Sequence, residues 1–131
     1  MGKIAYIEKI NEWKEEFSFS YPIKVRFSET DMFGHLNNTV PFTYFEQARI
    51  EYFKSLGMMQ DWVDTKHETI PVVADLQCDF LSQVYFDEKL DIKVKANKIG
   101  NSSVDIRYLG ERVDGTPCFT GRGTIVQISS Y

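Results

Sequence analysis

Asp31 stands three residues before Gly34 and shortly before Asn37, Asn38, Thr39 and Pro41, residue types that open a helix. A helix N-terminus offers unpaired amides and a partial positive charge. A carboxylate held beside such donors on a fixed turn can attack an activated carbonyl, or activate water to do so, while the amides hold the oxyanion. Spacing alone also allows Asp31 the plainer task of closing an Asx turn. His35, four residues on, can relay a proton or simply bond to backbone within the turn. Glu46 and Arg49, neighbours on one helical face, read as a half-buried ion pair, with a direct catalytic role for Glu46 as the alternative.

Two elements must position these groups. Upstream, Phe17, Phe19, Tyr21, Ile23, Val25 and Phe27 alternate with polar residues, the period of a strand with one buried face. Downstream, the residues from Pro41 to Leu56 wind into a helix with Phe42, Phe45, Ala48, Tyr52, Phe53 and Leu56 on one stripe, and Arg49 within it. Gly57 is placed to end this helix, a short turn is expected over Gln60 to Lys66, and His67 in that connection reads as solvated. From Thr69 the period returns to two. Val72, Ala74, Leu76, Cys78 and Phe80 form one inward set, and Leu90, Ile92, Val94 and Ala96 form the next. Gly100-Asn101 and Asp114-Gly115 mark tight turns to two further strands, the last from Phe119 to Ile128. Short connections make the last three strands antiparallel neighbours. Gly121 and Gly123 leave room for a close approach, by the helix or by a ligand, with packing the simpler use. The class is α+β, an antiparallel sheet of about five strands with the helix on one face.

The run Asp31-Met32-Phe33-Gly34-His35-Leu36-Asn37-Asn38, followed by Tyr44-Phe45-Glu46-Gln47-Ala48-Arg49, resembles the signature of hotdog-fold acyl-CoA thioesterases of the 4-hydroxybenzoyl-CoA thioesterase type. The resemblance implies a hotdog fold, with the sheet wrapped around one long central helix. It implies that Asp31 is the catalytic carboxylate, as general base or nucleophile, and that the amide of Asn38 is the oxyanion donor. It further implies a homodimer or homotetramer with sites at the subunit interface. Pro41 departs from the pattern, because similar sequences often carry tyrosine there, so no substrate-gripping ring is carried over to this position.

Composition bounds the alternatives. The chain has 131 residues and is expected to form one domain over residues 1–131, with residues 1–16 a short amphipathic helix or arm built on Ile4, Ile7, Ile10 and Trp13. A formal net charge of -4 argues against a nucleic-acid partner. Lys93, Lys95, Lys98, Arg107 and Arg122 are candidates for meeting an anionic coenzyme, although such residues more often form the wet face of a strand. Cys78 and Cys118 have no metal-ligand spacing and read as reduced, buried thiols. No apolar run suits a signal peptide or a membrane span, so a cytoplasmic location is expected. Val73, Val126 and Ile128 look too apolar for an exposed sheet face, which again points to oligomerisation. The resulting expectation is hydrolysis of an acyl-CoA thioester without a cofactor. An acyl carrier protein thioester, a hydratase-type reaction and a non-catalytic acyl-thioester binder are the rivals. Phe33, Tyr44, Phe45 and Met58 could line an aryl or an alkyl pocket equally well.

Overall fold

The computed structural model describes residues 4–57 and 69–129. The turn expected over Gln60 to Lys66, His67 and Met58 lie outside the described residues. Five strands, β1 (Phe19–Lys24), β2 (Thr69–Phe80), β3 (Lys89–Ile99), β4 (Ser103–Arg112) and β5 (Pro117–Ser129), form one antiparallel sheet in the order β1-β3-β4-β5-β2. A four-residue helix, α1 (Ile10–Trp13), precedes the sheet, and the long helix, α2 (Val40–Ser55), lies between β1 and β2.

The core forms where α2 meets the inner sheet face. Leu90, Ile92 and Val94 alternate inward from β3, Ile106 and Tyr108 from β4, and Phe119 from β5. Phe45 of α2 stacks on Tyr108 with ring centroids 4.4 Å apart. The sheet must be bare beneath it. A Cβ on Gly121 would come within 2.4 Å of the Phe45 ring, so this glycine serves helix packing. Gly123 instead leaves room for β2, whose Asp75 carbonyl would lie 2.8 Å from an added Cβ.

Three expectations are corrected. The strand before the site ends at Lys24, and Phe27 sits in a 3-10 turn (Phe27–Glu29) with its ring 74% exposed. Leu56 caps α2 in solvent, where the apolar stripe has run past the sheet. The inward set of β2 is broken by a bulge between Val73 and Asp75 that leaves Ala74 exposed, and Phe80 is also exposed at the strand end. The outer sheet face is partly covered by the chain itself. Ile7, Trp13 and Phe17 bury against Leu109 there, so this stretch needs no second copy, although Val73 and Ile128 stay exposed.

Candidate active site

The chain between β1 and α2 folds back on itself as a tight hairpin. Asn37 N–H donates to the Glu29 carbonyl at 2.8 Å, Asp31 N–H to the His35 carbonyl at 2.8 Å, and Thr30 and Leu36 form a bridge. Gly34 turns the tip with φ +81°, a left-handed conformation that side chains disfavour. Asp31 Oδ1 accepts from the amides of Phe33 (2.9 Å) and His35 (3.1 Å). The Asx turn is therefore real, and it orients the carboxylate rather than consuming it. Oδ2 makes no hydrogen bond among the described residues.

The far side of the hairpin becomes the start of α2. Asn37 Oδ1 accepts from Thr39 N–H at 3.1 Å and from its hydroxyl at 3.0 Å, and the Asn37 carbonyl accepts from Val40 N–H. The amide of Asn38 makes no hydrogen bond among the described residues. Unpaired donors at a helix start are suited to an oxyanion.

Asp31, His35 and Asn38 line one side of a cavity of about 650 Å³, with Phe119 also in its wall. The opposite wall is the segment from Phe80 to Val84 that leaves β2. Leu36 N–H donates to the Val84 carbonyl at 2.7 Å, which joins the two walls. Arg112 braces the second wall. Its Nε donates to Glu88 Oε2 at 2.7 Å, and its Nη atoms donate to Ser82 Oγ and the Gln83 carbonyl. The Arg112 guanidinium holds the Glu88 carboxyl below the usual carboxylate range.

The other predicted residues divide. The His35 ring packs edge-on against Tyr85 at 5.1 Å and makes no hydrogen bond among the described residues, so no proton relay to Asp31 is formed here. Glu46 is exposed on α2, makes no pair with Arg49 and does not line the cavity. Arg49 turns inward and donates from Nη1 to the Tyr108 hydroxyl at 3.1 Å, because its place in the apolar stripe carries it to the sheet. Three coenzyme candidates are already engaged on the outer face: Lys93 with Glu111, Lys95 with Glu16 and Arg107 with Asp105. Cys78 and Cys118 are free thiols, and burial pushes Cys78 up to about 12, unlike a nucleophile.

Glu29 was not anticipated. It is 9% exposed, and its Oε1 accepts from the Tyr44 hydroxyl at 2.8 Å and from Arg26 N–H at 2.8 Å. Its one sequence signal is the spacing of a capping box, disguised because Arg26 stands where Ser or Thr is usual. Tyr44, one of the residues that could have lined the pocket, is buried against Glu29.

A family model described as "Thioesterase superfamily" matches residues 33–119. The matched span begins just past Asp31. An uncharacterised protein of Bacillus subtilis, YsmA, is 52% identical over 126 residues, covering 95% of this chain and 83% of that protein. The acyl-CoA thioesterase YbgC of Haemophilus influenzae is 24% identical over 86 residues, covering 66% of this chain and 63% of that one. A crystal structure of DHNA-CoA thioesterase from Staphylococcus aureus superposes with a TM-score of 0.75 at 25% identity, covering 84% and 73% of the two chains. The five-stranded antiparallel sheet with its helix is the hotdog-like fold of these structures.

Proposed function

The chain belongs to the thioesterase superfamily, and from that premise we propose that it hydrolyses an acyl-CoA thioester to a free acid and coenzyme A. The observation that carries this reading is the pairing of Asp31 with the unengaged amide of Asn38 at the wall of one cavity. The relative named an acyl-CoA thioesterase adds support for the class of substrate.

Asp31 Oδ2 takes a proton from water as the water oxygen bonds to the thioester carbon. The carbonyl oxygen becomes an oxyanion facing the Asn38 amide and the positive end of α2. Collapse restores the carbonyl, breaks the C–S bond and releases the thiolate, which recovers the proton. The alternative use of the same carboxylate is direct attack, forming an acyl–Asp31 anhydride that water then opens. Single turnover in H₂¹⁸O separates the two, since only the anhydride route can leave label on Asp31. Glu46 and His35 have secondary places in this reading: neither contacts Asp31 through its side chain in one protomer.

A homodimer or homotetramer is part of the same proposal. Met32, Phe33, Phe27 and Phe86 are more than half exposed around the hairpin, and Phe27 and Phe86 pack together at 5.7 Å. A second copy would cover such a patch. No described helix is long and apolar enough to cross a membrane, and a cytoplasmic location is proposed with the coenzyme A substrate. The deciding experiment is thiol release from acetyl-, benzoyl- and palmitoyl-CoA by wild type and Asp31→Asn. Turnover abolished by the substitution supports the reading, and near-wild-type turnover in the variant overturns it.

A further inference from the structure

Glu29 is the buried acid beside the site, yet the reaction above gives it no task and it does not line the cavity. Its bonds reach three separate parts of the chain. Oε1 and Oε2 accept from Arg26, whose N–H lies at 2.8 Å and whose Nη2 lies at 3.3 Å, which closes the 3-10 turn entering the hairpin. The Glu29 carbonyl accepts from Asn37 N–H at 2.8 Å, which closes the hairpin. Oε1 also accepts from the Tyr44 hydroxyl at 2.8 Å, one turn inside α2.

These joints bracket the reacting groups. Asp31 follows Glu29 on one arm of the hairpin, and Asn38 follows Asn37 on the other. Residues 31–34 of the hairpin are exposed, so little apolar packing fixes its angle to α2. A rotation there would carry the Asp31 carboxylate away from the axis of the helix, and small misplacements of a reacting group cost rate more than binding.

We infer that Glu29 and Tyr44 form a positioning clamp, which holds the Asp31 hairpin against the start of α2 so that carboxylate and Asn38 amide address one carbonyl. The inference rests on the thioesterase reading and adds two residues that act on the reaction through others. The chemistry of the pair suits a permanent fastening. Burial alone would raise the Glu29 carboxyl, but the hydrogen bonds from Arg26 and Tyr44 outweigh it and hold the group below its ordinary range. The Tyr44 phenol is raised, first by burial and then by Glu29, so it remains a donor.

The test compares wild type with Tyr44→Phe, Glu29→Gln and the double variant, on whichever of acetyl-, benzoyl- or palmitoyl-CoA is turned over fastest. In each single variant kcat falls on the order of tenfold while KM stays within about threefold. The double variant falls no further than the worse single, because one bond is shared. Unchanged kcat in both single variants, a loss carried by KM, or losses that multiply would overturn the clamp. Amide hydrogen exchange gives a readout independent of turnover: protection at Asn37 and His35 drops in Tyr44→Phe. If wild type hydrolyses no thioester, the thioesterase reading fails, and exchange still decides whether the clamp exists. Unchanged protection in Tyr44→Phe would then reject it.

Discussion

The two faces of the sheet are closed in different ways. On the inner face the sixteen-residue α2 buries Phe45, Ala48 and Phe53 in a continuous apolar core. On the outer face the N-terminal arm buries only Ile7, Trp13 and Phe17 with Leu109, and fastens them with single contacts. Tyr6 donates to Thr120 Oγ1 at 2.9 Å, Arg107 lies over the Tyr6 ring at 4.9 Å, and Lys14 donates to the Gly115 carbonyl at 2.6 Å. Glu111 is buried between Lys93 at 2.8 Å and Lys14 at 3.7 Å, and its Oε2 has no hydrogen bond among the described residues. The inner face sets both the fold and the place of the proposed reacting groups. The outer face is a cover whose loss changes stability without reaching the hairpin.

That contrast can be broken in four ways. Asp31→Asn tests the inner, catalytic side most severely: turnover falls about 10²- to 10⁴-fold, the usual contribution of a general base. The melting temperature stays near wild type, because asparagine keeps the Oδ1 that closes the turn. Trp13→Ala tests the cover. Loss of a buried ring packed at 4.8 Å on Phe17 costs about 3 kcal/mol in denaturant unfolding, with kcat per folded molecule unchanged. A fall in kcat here would erase the distinction between the faces. Gly121→Ala places a methyl against Phe45 and destabilises by roughly 1–3 kcal/mol, with turnover falling too because α2 must shift.

The smallest effect is a pH dependence. Glu88 is held below the ordinary glutamate value of 4.5 by Arg112, so its contribution to stability is complete above that value and fades as pH falls through the lower folded value. Glu88→Gln should therefore lower stability at neutral pH and flatten the acid limb of a melting-temperature profile below about 4.5, where wild type loses the interaction anyway. An identical acid limb in variant and wild type would remove this brace from the cavity wall.

Much of this was legible in the residues themselves. Period-two alternation in β3, and the glycine turn at Gly115, are local consequences of strand pleat and backbone freedom, so they need no partner to be recognised. The helix start was readable within one residue because Pro41 and the polar residues before it act on their own backbone. The turn that closes on Asp31 was readable for the same reason. Its neighbours in sequence are its neighbours in space, and Asn38 follows on the same hairpin.

What only the tertiary structure decided depends on groups far apart in the chain. Arg49 could have met Glu46, one turn away, or the sheet; burial of the helix face sent it to Tyr108, and Glu46 was left in solvent. The bulge after Val73 reset which residues of β2 point inward, a choice made by pairing with β5 rather than by composition. The amphipathic arm could equally have faced solvent or a second copy, until Leu109 and Thr120 on the outer face gave it a place to bury. Glu29 gained its meaning only when α2 brought Tyr44 to its carboxylate, fifteen residues away along the chain. Local geometry is written in local spacing, whereas the partner of a buried charge is chosen by which surfaces the fold brings together.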